Sequence, residues 1–194
     1  YVLTHYNKDF CNYRKHPFIN EVIIFENATL KVGQDISNLN LYEVLNNDLG
    51  ISSCTVLWRK ECFKLHRFNV DLHYAEEVEC YTRIIVDGFR GVFLDNILYF
   101  NRKHSNSNTG KFFSKDNNLN NSFLLSFHLI IEYLAERKML SVSLSSFFAA
   151  KAINYRDRLL LNKTLSYSKA NILNKIKYNT IFVLIPYYKF LISF

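Results

Sequence analysis

The chain has 194 residues, 49% of them hydrophobic, with only 5 Gly and 2 Pro. Such a composition excludes disordered and collagen-like proteins, and the length allows one sizeable core or one domain with an appendage. The formal net charge of +7 is unevenly placed, because residues 1–110 carry 12 Lys/Arg and 13 Asp/Glu whereas residues 111–194 carry 12 Lys/Arg and 4 Asp/Glu. This imbalance indicates an anionic partner for the second part of the chain.

The cysteines and the first residues indicate the compartment. No C-x-x-C pair is present, which favours free thiols in a reducing compartment over disulfides or a zinc site; the cysteines are Cys11, Cys54, Cys62 and Cys80. The first residues lack the pattern of a signal peptide. Because the chain begins with Tyr1 and its one methionine is Met139, we expect it to be a piece of a longer, cytoplasmic protein.

Short strands and helices are predicted to alternate in the first part. In chain order they are a strand at 1–6, a loop at 8–20, a strand at 22–25, a helix at 39–46 that stops near Gly50, a strand at 52–58 and a short helix or turn at 59–65. A helix follows over 75–87, because Val78, Tyr81, Ile84 and Ile85 lie on one stripe and Gly88 can end it. With an apolar, β-rich run at 91–100, the pattern predicts an α/β fold.

The second part is predicted to be helical. Residues 105–121 are polar and rich in turn-forming residues, which predicts a flexible loop or linker. Apolar periodicity predicts one helix over 122–140 and a second, amphipathic helix over 146–161. We therefore predict two domains, residues 1–110 and residues 111–194, of which the latter is a basic helical extension.

Two adjacent carboxylates, Glu76 and Glu77, open the helix predicted over 75–87. Free backbone N–H groups and the helix dipole stabilise an ionised carboxylate in a first turn, which predicts a proton acceptor at neutral pH. The alternative is that both side chains only complement the helix dipole. Glu79 is predicted to be a solvated helix charge, and Arg83 to pair with Glu79 or Glu76.

Three segments, in this order, resemble family 2 glycosyltransferases of the GT-A fold. The run F-x-x-x-L-x-Y-A-E-[D/E]-x-E-x-x-x-R over 68–83 is similar to the acceptor-side motif of that family, 51–60 resembles the polar strand and basic turn upstream of it, and 99–107 is similar to the Y-R-x-H-x-x-S segment downstream. The resemblance covers residues 1–110, which correspond to the second half of such a domain. It implies a partial GT-A (Rossmann-like) domain of the α/β class, followed by the helical extension.

The resemblance implies an inverting sugar transferase that uses a nucleotide-activated donor. In the family the second acidic residue of the pair is the general base, most often Asp, and Glu77 holds that position here. Glu76, Arg83 and Trp58 are then supporting residues on the acceptor side. The extra methylene of glutamate moves the carboxylate by about 1 Å, a displacement that can cost about 10²-fold in rate.

The resemblance also implies a site for the donor diphosphate at Arg102 and His104. Arginine binds phosphate through two parallel hydrogen bonds, and the imidazole of His104 is a competent ligand for a divalent metal ion. The alternative is an exposed basic loop that follows a strand. The Asp-x-Asp motif that holds Mg²⁺ or Mn²⁺ in the family is absent from the 194 residues. A divalent metal is therefore expected only together with an N-terminal half that carries this motif.

The basic C-terminal part predicts a further partner. Beyond Glu136 the chain has ten Lys/Arg and one acidic residue, Asp157, with aromatic residues between them. This composition suits an anionic membrane surface, and the apolar run 180–194 is shorter than the about 20 residues that span a bilayer. One alternative is a helical cap with a solvated basic face. A nucleic-acid surface is the third, and since no recognition motif supports it we expect no nucleic acid.

We therefore interpret the chain as part of a glycosyltransferase of surface polysaccharide biosynthesis, for example of O-antigen or capsule. The expected partners are a nucleotide-sugar donor and a glycan or lipid-linked acceptor, at the inner face of the cell membrane. These 194 residues alone are expected to be inactive, because the donor half is absent from them. The alternative is a non-catalytic remnant or a membrane-associated binding module, favoured by glutamate at the base position and by the missing metal motif.

Overall fold

Helices dominate the part of the chain that the structure describes. The computed structural model describes residues 2–4, 32–46, 51, 53–94, 108–113, 117–168 and 171–192. These residues belong to two compact units: unit 1 contains Tyr1–Arg67 and Ile84–Asp116, and unit 2 contains Phe68–Arg83 and Asn117–Phe194. Four short strands lie in unit 1, and the long helices lie in unit 2. The predicted helical character of the second part of the chain is therefore confirmed.

The strands of unit 1 form one small mixed sheet. They are β1 (Val2–Thr4), β2 (Val32–Ile36), β3 (Val56–Leu57) and β4 (Gly91–Leu94). Their order in the sheet is β2-β4-β1-β3; the central strands β1 and β4 are parallel, and each outer strand is antiparallel to its neighbour. Parallel neighbours need a long crossover connection, which the chain between β1 and β4 supplies.

Three of the predicted strands fall at least partly on described residues. The predictions for 1–6 and 91–100 are confirmed where the structure describes them, at Val2–Thr4 and Gly91–Leu94. The strand predicted over 52–58 is shorter, because Ser53–Thr55 forms a 3-10 turn and only Val56–Leu57 pairs with β1 at the edge of the sheet. The loop predicted over 8–20 and the strand predicted over 22–25 lie outside the described residues.

Two short helices of unit 1 follow local signals. Helix α1 (Leu41–Leu45) comes after a 3-10 turn at Asn38–Asn40 that begins with a reciprocal cap. The Ser37 hydroxyl accepts from the Leu39 N–H at 3.3 Å, and the Asn40 side chain accepts from the Ser37 N–H at 3.1 Å. The apolar face of α1 is buried and consists of Leu41, Val44 and Leu45. Helix α2 (Cys62–Leu65) occupies the segment predicted as a short helix or turn.

Helix α3 (Glu76–Val86) confirms the helix predicted over 75–87. Its buried residues recur at helical spacing, and Tyr81, Ile84 and Ile85 are at most 2% exposed. Gly88 ends the helix in the left-handed conformation, with φ of 93°, and its N–H donates to the carbonyl of Ile85 at 3.1 Å. Glycine adopts this conformation without steric cost, which explains the stop.

The flexible loop predicted over 105–121 is wrong where the structure describes it. Helix α4 occupies Asn108–Phe113, and helix α5 (Asn117–Glu136) begins earlier than the predicted start at 122. Asparagine and serine are weak helix formers, but Leu119 and Ser122 are buried in the first turns of α5. Tertiary packing therefore outweighs the low intrinsic propensity of this polar segment.

The single helix predicted over 146–161 is also wrong, because the segment contains the end of one helix and the start of another. Helix α6 spans Val142–Tyr155 and helix α7 spans Arg158–Tyr167. Arg156 is left-handed, with φ of 58°, and Asp157 caps α7 by accepting from the Leu160 N–H at 2.9 Å. Asp157 also contacts His128 of α5, with Nε2 and Oδ2 2.7 Å apart. An interhelical ion pair between Glu132 and Lys163 joins the same two helices.

Unit 2 has an aromatic centre. The rings of Phe123 and Phe127 lie 4.6 Å apart, and Phe147 and Phe148 of α6 each pack edge-on against Phe127, at 5.8 and 6.0 Å. Burial of one such ring contributes about 2–3 kcal/mol, so this cluster is a main source of the stability of the unit. The last helix, α8, spans Ile172–Ile192.

The compact units differ from the two domains predicted at 1–110 and 111–194. The segment Phe68–Arg83, which carries the carboxylates, belongs to unit 2 together with α5 to α8. The contacts explain this assignment, because Ser122 of α5 bonds to the backbone of His73 and Tyr74. The predicted domain boundary was placed from the order of motifs along the chain, whereas the boundaries of the compact units reflect which segments pack together.

Candidate active site

The site is built around the start of α3, where the backbone adopts an unusual conformation. Ala75, directly before Glu76, has φ of 64°, in the left-handed region that non-glycine residues rarely enter. This conformation costs an L-residue about 1–2 kcal/mol. Ala75 is buried, and its carbonyl accepts the N–H of Glu79 at 3.2 Å. The surroundings must therefore hold this backbone, as is common at functional sites.

A single serine of α5 holds the segment that leads into α3. The Ser122 hydroxyl accepts from the N–H groups of His73 and Tyr74 and donates to the carbonyl of Tyr74, each at 2.9 Å. The ring of Tyr74 also packs against Phe123, with centroids 6.1 Å apart. Because the backbone groups of this turn have few helical partners, one buried hydroxyl satisfies three of their hydrogen-bonding groups. Ser122 thus positions the first turn of α3.

Glu76 and Glu77 occupy the first turn of α3, and both are half-buried. The pKa of Glu77 is raised from its ordinary value of 4.5 to about 6. Burial is the largest cause, and the negative charge of Glu76 and a hydrogen bond between the two side chains act in the same direction. A hydrogen bond from the backbone N–H of Glu77 itself lowers the pKa and only partly offsets these effects.

The shift corrects one expectation. The helix start was expected to favour the ionised form of the carboxylates, but burial of Glu77 outweighs the stabilisation that the backbone supplies. A carboxyl group with a pKa of about 6 is still about 90% ionised at pH 7. It accepts a proton more strongly than an ordinary glutamate, which suits a general base at neutral pH.

Glu79 and Arg83 form an ion pair one helical turn apart. Nε and one terminal nitrogen of Arg83 donate to the two carboxylate oxygens of Glu79, at 2.7 and 2.8 Å. Glu79 is 4% exposed, so its prediction as a solvated helix charge is wrong. The contact raises the pKa of Arg83. Arg83 therefore pairs with Glu79 and supports the helix that carries Glu77.

The other predicted site residues are Trp58, Arg102 and His104. Trp58 belongs to unit 1, where its ring packs edge-on against Phe63 at 5.7 Å. Arg102 and His104 lie outside the described residues, so their assignment to the donor diphosphate stays a prediction. Within the described ranges, no group of three or more His, Cys, Asp or Glu side chains is arranged to hold a metal ion.

Two histidines, His66 and His128, make polar contacts within their units. Buried His66 lies with its Nε2 3.4 Å from a carboxylate oxygen of Asp87 and its ring edge-on to Phe89. His128 contacts Asp157, the residue that caps α7. Both contacts join segments that are distant in sequence, so we assign both histidines to the support of the fold.

Ser122 and Ala75 are the residues of this site that the sequence did not reveal. Ser122 lies in a polar, asparagine-rich stretch, and no local signal indicates that its hydroxyl contacts a turn 48 residues away. Ala75 is one position of the motif over 68–83. Its left-handed conformation has no sequence signal, because glycine or asparagine is the usual residue there.

Comparison of the chain with protein-family models, with curated proteins and with solved structures found no match. Among the described residues, no helix combines the length and the apolar character needed to cross a membrane.

Proposed function

We propose that this chain supplies the acceptor side of an inverting glycosyltransferase in which Glu77 is the general base. The observation that carries the proposal is the raised pKa of Glu77, to about 6, in a half-buried first helical turn. The three segments that resemble family 2 glycosyltransferases supply the reaction class. We also propose that the complete catalytic domain has the GT-A fold, as the same resemblance implies.

The reaction is a single displacement at the anomeric carbon of the donor sugar. The acceptor hydroxyl oxygen attacks this carbon and forms the new glycosidic bond, while the bond to the nucleoside diphosphate breaks and its electron pair leaves with the diphosphate. Glu77 takes the hydroxyl proton as the oxygen becomes more acidic during the attack. The proton then passes to solvent and the configuration at the anomeric carbon is inverted.

The surroundings of Glu77 suit this role in three ways. The Ser122 hydroxyl and the left-handed Ala75 fix the backbone from which Glu77 projects, and a fixed base loses less rate to misplacement. Glu76 raises the basicity of Glu77 through its charge. The ion pair of Arg83 with Glu79 joins the first turn of α3 to the turn that follows it.

The proposal also assigns two residues to the donor side of the site. Arg102 and His104 would bind the diphosphate of a nucleotide sugar. A divalent metal is part of the proposal only together with a further segment that carries an Asp-x-Asp motif, because the 194 residues contain none. His104 would be one ligand of that metal. The acceptor would be a glycan or a lipid-linked glycan of surface polysaccharide synthesis, on the cytoplasmic side of the cell membrane.

The test is Glu77→Gln in the full-length gene product that contains these residues. The probes are UDP-, GDP- and dTDP-activated hexoses and N-acetylhexosamines with octyl glycosides as acceptors, and the products are the nucleoside diphosphate and the new glycoside, measured by mass spectrometry. We expect turnover to fall by about 10²-fold or more, with donor binding by calorimetry nearly unchanged. In the parent protein kcat/KM should rise with pH through about 6 and then level off.

The matched control is Glu61→Gln, which removes an exposed carboxylate from unit 1. Its turnover should equal that of the parent protein. Unchanged turnover in Glu77→Gln would remove Glu77 from the mechanism. A folded full-length protein that neither binds nor turns over any activated sugar would instead support the alternative, a glycosyltransferase-like remnant without catalysis.

A further inference from the structure

Helix α8 (Ile172–Ile192) leaves an apolar face uncovered within unit 2. Five large apolar residues of this helix are between 51% and 75% exposed, and we call them the exposed face of α8: Ile172, Leu173, Ile176, Val183 and Leu184. Ile172 and Ile176 are 4 residues apart, and Val183 and Leu184 each follow 11 residues after Ile172 and Leu173. In a helix with 3.6 residues per turn these spacings place all five residues on one side. The exposed Thr180 lies on the same side, between the apolar residues at 172–176 and those at 183–184. Large apolar side chains that share one exposed face mark an interaction site more often than scattered ones do.

The opposite side of α8 is packed. The Tyr178 hydroxyl donates to Ser146 Oγ of α6 at 3.3 Å, and the guanidinium of Arg158 in α7 lies 5.2 Å from the ring centroid of Phe182. Ile181 and Ile185 are half-buried on the same side. The helix is therefore docked to its own unit through one face, and the described residues of that unit leave the exposed face of α8 accessible on the other.

Positive charges border the exposed face. Lys175 and Lys177 are exposed and lie to either side of the apolar row, whereas residues 172–192 contain no Asp or Glu. Lysine can extend its ammonium group past an apolar surface toward anionic headgroups while its methylene stem covers that surface. An apolar face with lysines at its edges is the arrangement of helices that lie in the plane of a membrane surface.

We infer that the exposed face of α8 binds the surface of an anionic lipid bilayer, with the helix axis parallel to the membrane. A second copy of the chain fits less well, because face-to-face pairing would bring the lysines of two copies together with no carboxylate on α8 to neutralise them. This inference goes beyond the proposed sugar transfer, and its test does not depend on that activity.

The test is co-sedimentation of the full chain with lipid vesicles. Vesicles of phosphatidylcholine with 30% phosphatidylserine should bind the protein, and pure phosphatidylcholine vesicles should bind it at least tenfold more weakly. Raising the salt from 0.1 to 1 M shortens the Debye length from about 10 to about 3 Å and should weaken binding to the anionic vesicles. Replacing both Lys175 and Lys177 by Gln should lower the affinity by about 30-fold, since each lysine contributes a factor of about five.

Ile176→Glu tests the apolar contact, and Leu159→Glu is its matched control. Ile176 is 57% exposed in α8 and Leu159 is 59% exposed in α7, so both variants place the same charge at an equally accessible apolar position. We expect Ile176→Glu to reduce vesicle binding at least tenfold and Leu159→Glu to bind like the parent protein.

Three results would overturn the inference. One is equal binding to neutral and anionic vesicles, and another is full binding by Ile176→Glu. The third is a dimer in light scattering that Ile176→Glu dissociates, since a second copy would then cover this face.

Discussion

The guanidinium of Arg83 and the carboxylate of Glu79 make two parallel hydrogen bonds, at 2.7 and 2.8 Å, on a turn of α3 where Glu79 is almost completely buried. A paired arginine and carboxylate in this geometry is among the strongest side-chain contacts. Glu79 lies in the first turn of α3, two residues after Glu77, so the carboxylate proposed as a base and the carboxylate that supports the fold are neighbours on one helix. Their environments assign them different roles.

Arg83→Met should destabilise the protein by about 3 kcal/mol, because it leaves the buried carboxylate of Glu79 without its cation. The measurement is urea unfolding at pH 7, followed by circular dichroism. Arg90→Met removes an exposed arginine and should change the free energy of unfolding by less than about 0.5 kcal/mol. The double variant Glu79→Gln/Arg83→Met should cost less than the sum of the single changes; additive costs would show that the pair contributes no coupling.

Ser122→Ala should cost about 2–3 kcal/mol, because two N–H groups and one carbonyl before α3 lose their hydrogen-bond partner. Ser126→Ala is the control, since this buried hydroxyl only donates to the carbonyl of Phe123 in its own helix. Thermal unfolding of the two variants and of the parent protein compares the loss of stability that each substitution causes. If the two variants lose equal stability, Ser122 does not hold the start of α3 in the way proposed here.

Glu77 should make the stability of the protein depend on pH between about 4.5 and 6. Its pKa is higher in the folded state, so the folded protein binds more protons in this range and the contribution of Glu77 to stability falls as pH rises. A shift from 4.5 to about 6 corresponds to at most about 2 kcal/mol, and solvent at this half-buried site reduces it to about 1 kcal/mol.

Glu77→Gln stays neutral, so relative to the parent protein it should gain about 1 kcal/mol between pH 4.5 and pH 7. Urea unfolding at the two pH values measures the gain, and Glu61→Gln supplies the baseline at an exposed glutamate. A stability difference between Glu77→Gln and the parent that does not change with pH would contradict the raised pKa.

Lys138→Gly should stabilise the protein by about 0.5–1 kcal/mol. Lys138 is exposed and left-handed, with φ of 56°, where α5 ends with the Met139 N–H donating to the carbonyl of Leu134 at 2.9 Å. Glycine relieves the steric cost of this conformation, and its greater freedom in the unfolded chain offsets part of the gain. Lys138→Ala keeps the β-carbon and should give no gain. Differential scanning calorimetry compares the two; a lower Tm for the glycine variant would contradict the argument.

Local patterns in the sequence were sufficient to predict helix α3 and the position at which it ends. The apolar stripe of Tyr81, Ile84 and Ile85 predicted the helix, and Gly88 predicted its stop, because helical periodicity and the left-handed preference of glycine act within a few residues. The adjacent carboxylates of the first turn were visible for the same reason. By contrast, the sequence did not predict that α6 ends and α7 begins near Arg156, since arginine gives no signal for a left-handed residue.

By itself the sequence determined that this chain folds, that its second part is helical and basic, and that two carboxylates open a helix. Only the tertiary structure decided that Glu79 is buried against Arg83, that Ser122 holds the turn before Glu77, and that the pKa of Glu77 rises. The physical reason is that burial and desolvation depend on atoms brought together from distant parts of the chain. Helix periodicity, charge and turn preference are properties of neighbouring residues, and these can be read directly.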